Sequence, residues 1–163
     1  VSNSVGVMIV RTKRWRVEGF IEVARALLQE GYSVCLVGGS GEEAIAQAIA
    51  DQLSEVKNIC GKTTLIETWE LFQKGKVLIC NDSGAMHLAA AAGLPTVAIF
   101  GPTTLELGYR PWNERAKVAE VSLDCRPCGK HGGVSCPLGT HDCMKLVTSA
   151  QVLKQVHELI GSL

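Results

Sequence analysis

Two hydrophobic patterns alternate along the chain. Short apolar runs, of the kind found in strands buried on both faces of a parallel sheet, are separated by segments whose apolar residues recur with the helical period of 3.6. The runs cover Val5–Val10, Ser33–Val37, Val56–Cys60, Val77–Cys80 and Thr96–Phe100. The pattern therefore predicts five strands with helices between them.

Capping signals divide the helical segments. Gly31 is placed to end the first helix, and Gly93 with Pro95 ends the helix predicted over Ala85–Ala92. Hydroxyl side chains followed three residues later by Glu or Gln predict helix starts at Ser40 with Glu43, Thr64 with Glu67, and Thr148 with Gln151. In the helix after Thr64, we expect a buried face made of Leu65, Ile66, Trp69 and Phe72.

Strands that alternate with helices indicate an α/β protein, a Rossmann-like doubly wound sheet with parallel strands and helices on both faces. The length of 163 residues suits one domain, so we predict a single domain over 1–163. Within it, a cysteine-rich loop at 124–144 precedes the last helix.

Composition narrows the choice of partners. The 16 Lys and Arg balance 16 Asp and Glu, so there is no long-range field to attract nucleic acid, which we do not expect as a partner. No apolar run reaches the roughly 18 residues that span a bilayer, and the first ten residues do not resemble a secretory signal. Three cysteines in apolar runs, Cys35, Cys60 and Cys80, fit reduced thiols in the cytosol.

The segment from Asn81 to His87 leaves a predicted buried strand and opens a helix. Such a helix start presents unpaired N–H groups and the positive end of the helix dipole, so it can bind phosphate. Gly84 would allow close approach of a ligand, while Ser83 and His87 could add a hydroxyl and a cation. The alternative is a plain serine or aspartate cap with a histidine satisfied in the core.

Other loops at the same predicted edge carry polar side chains. The basic loop 11–15 could neutralise a diphosphate, or it could be a solvated surface loop. Thr103 and Thr104 offer two hydroxyls after the fifth strand. Glu42 and Glu43 could accept hydrogen bonds from a ribose, although Glu43 is equally explained as a partner in a capping box.

These residues resemble a known family signature. The string Asp82-Ser83-Gly84-x-x-His87-x-Ala89-Ala90-Ala91, followed by Gly93-x-Pro95-x-Val97-x-x-Phe100-Gly101-Pro102-Thr103, is similar to that of glycosyltransferase family 9, the lipopolysaccharide heptosyltransferases. Thr-Lys-Arg-Trp at 12–15 resembles the Lys-x-Trp element of that family. The resemblance runs from about Val5 to Ile160 and implies the C-terminal, donor-binding half of a GT-B fold.

The resemblance also implies roles for individual residues. The residues implied to bind the nucleotide sugar are Thr12, Lys13, Glu42, Glu43, Asp82, Ser83, Gly84, His87 and Thr103. Among them Lys13, Asp82 and His87 would stabilise the leaving nucleoside diphosphate, and Glu42 or Glu43 would hold the ribose. The resemblance places the catalytic base in the N-terminal, acceptor-binding domain, so this chain alone would bind donor without transferring sugar.

The function implied is inverting transfer from ADP-heptose, or another nucleotide sugar, to the lipopolysaccharide core. The full-length protein would act in the cytoplasm, peripheral to the inner membrane, and no metal cofactor would be needed for transfer. Two other hypotheses stay open, namely a non-catalytic nucleotide-binding module with a metal-stapled docking loop and a sugar-nucleotide epimerase-like domain.

Four further cysteines form a cluster of their own. Cys125, Cys128, Cys136 and Cys143 fall within 19 residues, and the first pair has the spacing of a zinc knuckle. The second pair is more widely spaced. Structural zinc, disulfides formed on purification and free packed thiols are the three alternatives.

Overall fold

The computed structural model describes the backbone of residues 4–8 and all of residues 15–133 and 135–161. Six parallel strands form one sheet in the order β3-β2-β1-β4-β5-β6. The strands are β1 (Ser4–Met8), β2 (Ser33–Val37), β3 (Lys57–Asn58), β4 (Val77–Asn81), β5 (Thr96–Ile99) and β6 (Ala116–Ala119). This order is that of a Rossmann-type sheet, so the predicted fold class is confirmed.

Helices cover both faces of the sheet. They are α1 (Val17–Gln29), α2 (Glu43–Ala50), α3 (Leu65–Lys74), α4 (Gly84–Ala91), α5 (Asp142–Lys145) and α6 (Ser149–Ile160), with a 3₁₀ turn at Leu105–Leu107. Residues of α1, α2 and α6 share one hydrophobic core, and residues of α3 and α4 share the other. Alternate residues of β4 enter opposite cores, Val77 and Ile79 the first, Leu78 and Cys80 the second. This two-sided burial explains the continuous apolar run.

Two of the three predicted helix caps are present. Thr64 and Glu67 form a reciprocal capping box at α3, and the Thr148 hydroxyl accepts from the N–H of Gln151 at α6. The third prediction is wrong, since α2 begins at Glu43 itself and Ser40 does not cap it. The Glu43 carboxylate instead accepts from the N–H of Gly41 at 2.6 Å.

The prediction that Leu65, Ile66, Trp69 and Phe72 form a buried face of α3 is also wrong. Leu65 and Ile66 are 72% and 70% exposed, Trp69 is exposed, and only Phe72 is buried. The helical period identified an apolar stripe correctly, but Phe72 is the one residue of this stripe that enters the core shared by α3 and α4. An amphipathic pattern shows which face is apolar without showing that something covers it.

Differences from the predicted elements lie at the edges of the sheet. The predicted run Val56–Cys60 contains only the two-residue strand β3, and β6 was not predicted at all. β6 has three half-buried residues and a single buried one, so its sequence lacks a strong apolar run. No helix among residues 15–133 and 135–161 is long and apolar enough to cross a bilayer.

Candidate functional site

The candidate site lies at the carboxyl ends of β2, β4 and β5, the edge at which open parallel sheets bind ligands. The Gly38-Gly39 turn follows β2, Asp82 and Ser83 follow β4, and Gly101 begins the connection after β5. β4 pairs with β5 along its whole length, so their ends are adjacent. The structure therefore brings together the segments after Val37, Asn81 and Ile99, as the sequence predicted.

The N-terminus of α4 is open. Ser83 occupies the N-cap position in an extended conformation, yet its side chain makes no capping hydrogen bond. Gly84, the first helical residue, is exposed, and no atom lies within 4 Å of where its Cβ would be. The first N–H groups of a helix have no intrahelical acceptor, so this end can bind an anion.

Asp82 and Thr103 form a buried pair beside this helix end. Asp82 is only 4% exposed and Thr103 is fully buried. The Thr103 hydroxyl donates to Oδ2 of Asp82 at 2.5 Å, and the Asp82 N–H donates to the carbonyl of Ile99. Thr103, predicted as a ligand contact, is thus engaged with Asp82 and acts on that carboxylate instead of presenting its hydroxyl at the surface.

Three polar atoms near this pair are buried without a hydrogen-bond partner in the described part of the chain. They are Nδ2 of Asn81, Oγ of Ser83 and Oγ1 of Thr104. Buried polar atoms are nearly always paired in folded proteins, so a group of orphans at one sheet edge points to a ligand or ordered water. Ser83 was predicted as a site residue and Asn81 was not, although the place of Asn81 at the end of a buried strand was an available signal.

Trp15 anchors the chain that enters α1 to this edge. Its backbone N–H donates to Oδ1 of Asn81 at 2.8 Å, and its indole N–H donates to the carbonyl of Val147 at 2.9 Å. The ring is buried and packs edge-on against Phe20. Thr12 and Lys13, predicted to contact the diphosphate, lie outside the described residues.

A cavity of about 320 Å³ opens next to α4, a volume typical of small-ligand sites. Its lining is largely glycine and aliphatic, and consists of Gly38, Gly39, Thr63, Leu65, Thr68, Gly84, Ala85 and Leu88. Gly38 has no room for a side chain, because an added Cβ would lie 2.6 Å from Sγ of Cys60.

Glu42 and Glu43 lie at the start of α2, beside the Gly38-Gly39 turn. Oε2 of Glu42 accepts from the N–H of Gly39 at 2.7 Å, and the Glu43 carboxylate is bonded to Gly41. Both carboxylates therefore shape the loop at the rim of the cavity, and their predicted contact with a ribose stays a prediction. His87 is exposed on α4, one turn after Ser83.

Two buried thiols lie in strands or turns beneath the site. Burial raises the pKa of Cys80 strongly, and the nearby Asp82 carboxylate raises it further. Burial also raises the pKa of Cys60, with Glu42 and Glu43 adding to the effect. Both thiols stay protonated at neutral pH and place no negative charge next to an anion site.

Arg126 connects the cysteine-rich loop with the segment after β5. Its side chain is only 5% exposed and donates to the carbonyls of Gly101, Val121 and Thr103 and to the Glu120 carboxylate. Arg126 was not predicted as a site residue, since an arginine between two cysteines carries no distinguishing pattern.

The four clustered cysteines lie close enough to influence one another. Burial, followed by the other thiols of the cluster, raises the pKa of Cys128 and Cys143. The N–H of His141, 3.3 Å from Sγ of Cys136, lowers the pKa of that thiol. Across the described ranges, which omit Val134, no three His, Cys, Asp or Glu side chains are arranged to hold a metal ion.

His131, within the cysteine-rich loop, is engaged elsewhere. Its Nδ1 lies 2.8 Å from the hydroxyl of Tyr109, and the two rings are in contact. The cysteine-rich loop is therefore packed against the connection that follows β5.

Known proteins are similar to this chain in both sequence and architecture. Lipooligosaccharide heptosyltransferase 2 of Campylobacter jejuni is 35% identical over 160 residues, which are 95% of this chain and 49% of the relative. Lipopolysaccharide heptosyltransferase 2 of Salmonella typhimurium is 31% identical over 154 residues, covering 91% of this chain and 43% of its own length. The chain thus spans about half the length of the curated relatives that it matches.

Solved structures of similar proteins have the same architecture as this chain. The ADP-heptose LPS heptosyltransferase II of E. coli superposes with a TM-score of 0.83 at 27% identity, covering 98% of this chain and 46% of its own. The family 9 glycosyl transferase of Veillonella parvula also gives 0.83, at 28% identity and 100% and 47% coverage. The family description for glycosyltransferase family 9 (heptosyltransferase) matches residues 8–136. Because the family description covers most of the chain and relatives of at least 30% identity cover nearly all of it, this chain belongs to glycosyltransferase family 9.

Proposed function

We propose that this chain is the donor-binding part of an inverting heptosyltransferase, and that it binds ADP-heptose at the carboxyl edge of its sheet. The observation that carries the proposal is the uncapped N-terminus of α4, flanked by the orphaned polar atoms of Asn81, Ser83 and Thr104. The E. coli relative at 27% identity is an ADP-heptose LPS heptosyltransferase, which supports this choice of donor.

The diphosphate would bind at the start of α4. Backbone N–H groups at Gly84 and Ala85, the Ser83 hydroxyl and the partial positive charge of the helix end all favour an anion there. His87, exposed one turn along, adds a cation when protonated. Lys13 is proposed as a second cation, since Trp15, two residues later in the sequence, is hydrogen-bonded to Asn81 at this edge.

The cavity next to α4 would take the nucleoside. Its aliphatic and glycine lining suits a flat base, with Leu65 and Leu88 on its walls. Glu42 and Glu43 lie at the same turn as Gly38 and Gly39 and are proposed to accept hydrogen bonds from the ribose hydroxyls.

The chemistry of this half of the site is stabilisation of the leaving group. In inverting transfer an acceptor hydroxyl attacks the anomeric carbon, the bond to the diphosphate oxygen breaks, and negative charge accumulates on ADP. Donors already fixed in place around that charge lower the barrier without reorganising. Asp82, held by Thr103, would lie beside the sugar and the phosphates. The lipopolysaccharide core acceptor and the base that deprotonates it would be held by the other half of the full-length protein, at the cytoplasmic face of the inner membrane.

Ser83→Ala separates this function from the fold. Because the Ser83 side chain caps nothing, its removal should leave the unfolding free energy nearly unchanged. Loss of a hydrogen bond to a charged phosphate should weaken ADP binding about tenfold or more. Isothermal titration calorimetry with ADP, UDP and GDP measures both the affinity and the choice of base.

The matched control is Thr148→Ala, at a helix start where the hydroxyl does accept from Gln151. This change should cost about 1 kcal/mol of stability and leave ADP affinity unchanged. A Ser83→Ala protein that binds ADP as tightly as the unaltered chain would contradict the site.

Two rival functions predict different outcomes. A non-catalytic nucleotide-binding module would bind ADP, and the full-length protein would then fail to transfer heptose to lipopolysaccharide core. An epimerase-like domain would convert its nucleotide sugar without any acceptor present.

We also propose that Cys125, Cys128, Cys136 and Cys143 bind a structural zinc ion by moving closer together, since in the described residues no three of them are arranged to hold a metal ion. Four thiols are a donor set that zinc prefers in structural sites, and after burial the neighbouring thiols contribute to the raised pKa of Cys128 and Cys143. The N–H of His141 donates to Sγ of Cys136, and the backbone N–H groups of residues 138–140 also lower the pKa of that thiol, an arrangement that favours a thiolate. The ion would order the loop and take no part in transfer.

A further inference from the structure

The turn after β5 is held by the cysteine-rich loop through three consecutive carbonyl groups. Nε of Arg126 donates to the carbonyl of Gly101 at 2.5 Å, and Nη2 donates to that of Thr103 at 2.8 Å. Between them, the carbonyl of Pro102 accepts from the N–H of Cys128 at 2.7 Å. Each carbonyl of Gly101–Thr103 therefore accepts a hydrogen bond from the cysteine-rich loop.

The same turn is fixed from a second direction. A Cβ added at Gly101 would lie 2.7 Å from the terminal methyl of Met144, a buried residue of α5. The turn therefore has little freedom to move unless Arg126 or Met144 moves first.

The turn positions the Thr103 hydroxyl, and this hydroxyl donates to Oδ2 of Asp82. A hydrogen bond of 2.5 Å to a carboxylate is strongly dependent on geometry, so a shift of the Thr103 backbone would lengthen or break it. A continuous chain of contacts thus runs from Arg126 through Thr103 to Asp82.

We propose that Arg126 is a positioning residue for the donor site, which fixes the Asp82 carboxylate by clamping the turn Gly101–Thr103. The inference rests on the proposed function only in that Asp82 lies beside the bound donor. Arginine suits this role because its planar guanidinium offers five N–H groups in a fixed arrangement, whereas lysine offers a single flexible ammonium group. The Glu120 carboxylate, 2.6 Å from Nη2, orients the guanidinium from its outer side.

The test is a double-mutant cycle with Arg126→Met and Thr103→Val in this chain. Each single change should weaken binding of ADP-heptose, whose sugar hydroxyls can donate to a fixed Asp82 carboxylate, about tenfold, measured by calorimetry at a temperature where circular dichroism shows the variant to be folded. Because both act on Asp82 through the same hydroxyl, the double variant should lose about tenfold to twentyfold, far short of the hundredfold expected for independent sites.

Two further variants exclude a general structural effect. Arg126→Lys should recover part of the lost affinity, since one of the carbonyls can still be reached. Arg110→Met removes an exposed arginine from the connection between β5 and β6 and should leave the affinity for ADP-heptose unchanged. Losses that multiply to about a hundredfold, or an Arg126→Met protein with full affinity, would overturn the inference.

The same double-mutant cycle can also be measured on protein stability, without ligand. The midpoint of thermal unfolding should show the same non-additivity between Arg126→Met and Thr103→Val, because the clamp is present in the free protein. If the unaltered chain bound no ADP, the proposed function would fail, while the unfolding cycle would still decide whether Arg126 and Thr103 are coupled. Additive shifts in that cycle would refute the clamp.

Discussion

Gly19 and Gly84 differ in the space around them, which fits a packing role for Gly19 and the proposed binding role for Gly84. Gly19 lies within α1, where a Cβ would lie 2.5 Å from a ring carbon of the buried Trp15. Gly84 lies at the start of α4, where a Cβ would meet nothing within 4 Å. The fold therefore requires glycine at 19 but does not require it at 84.

Alanine substitutions should separate the two roles. Gly19→Ala should destabilise the protein by about 1 to 3 kcal/mol through overpacking against Trp15, although alanine has the better helix propensity by about 1 kcal/mol. Gly84→Ala should keep or slightly raise the stability and weaken ADP binding, because the added methyl enters the cavity. Urea unfolding and calorimetry on both variants provide the measurements. A stabilised Gly19→Ala, or a Gly84→Ala with full ADP affinity, would contradict this assignment.

Residues that directly follow a buried strand were predictable from the sequence. Asp82, Ser83 and Gly84 lie where a strand–turn–helix pattern places them, and the structure brings all three to the carboxyl edge. Arg126 could not be found in this way, because it reaches the turn after β5 from 25 residues further along the chain. A long-range contact of one side chain leaves no periodic trace in a sequence.

Among the elements, α3 departs most from the sequence pattern. Its apolar stripe consists of Leu65, Ile66, Trp69 and Phe72, yet only Phe72 enters a core. Phe72, with the partly buried Leu71 beside it, packs α3 against the core, and the helix begins with the Thr64 capping box.

Substitutions on the two sides of α3 should therefore differ greatly in effect. Phe72→Ala should lower the unfolding free energy by about 3 to 5 kcal/mol, as for a buried aromatic residue. Ile66→Lys should change it by less than about 0.5 kcal/mol, because the side chain is already exposed and lysine is a good helix former. Chemical denaturation of the two variants measures the contrast. A loss of several kcal/mol for Ile66→Lys would show that the stripe is covered.

The central elements were predictable and the edge elements were not. β4 is fully buried and reads as an unbroken apolar run, so Val77–Asn81 differs from the prediction by one residue. β3 and β6 lie at the two edges of the sheet, where strands need fewer apolar residues, and β6 includes Lys117. Periodicity is strong where a strand is buried on both faces and weak where one side meets solvent.

For the molecule as a whole, one long connection is hard to explain by packing alone. Between β6, which ends at Ala119, and α5, which begins at Asp142, the described residues contain no helix or strand. Connections longer than about 12 to 15 residues without secondary structure are uncommon in compact domains and need another source of order. Arg126 fixes one point of this connection, and the four clustered cysteines fall along and just beyond it.

A structural zinc ion would supply the missing order, so the metal should be found in protein purified without chelator, at about one equivalent per chain. Chelation should lower the midpoint of thermal unfolding, and Cys143→Ser should reduce zinc content, whereas Cys35→Ser, a buried thiol in β2, should not. Because Cys125 and Cys128 flank the Arg126 clamp, loss of the ion should also weaken binding of ADP-heptose. Less than about a tenth of an equivalent of zinc, with an unchanged melting curve after chelation, would leave packing and hydrogen bonds as the sole supports of the connection.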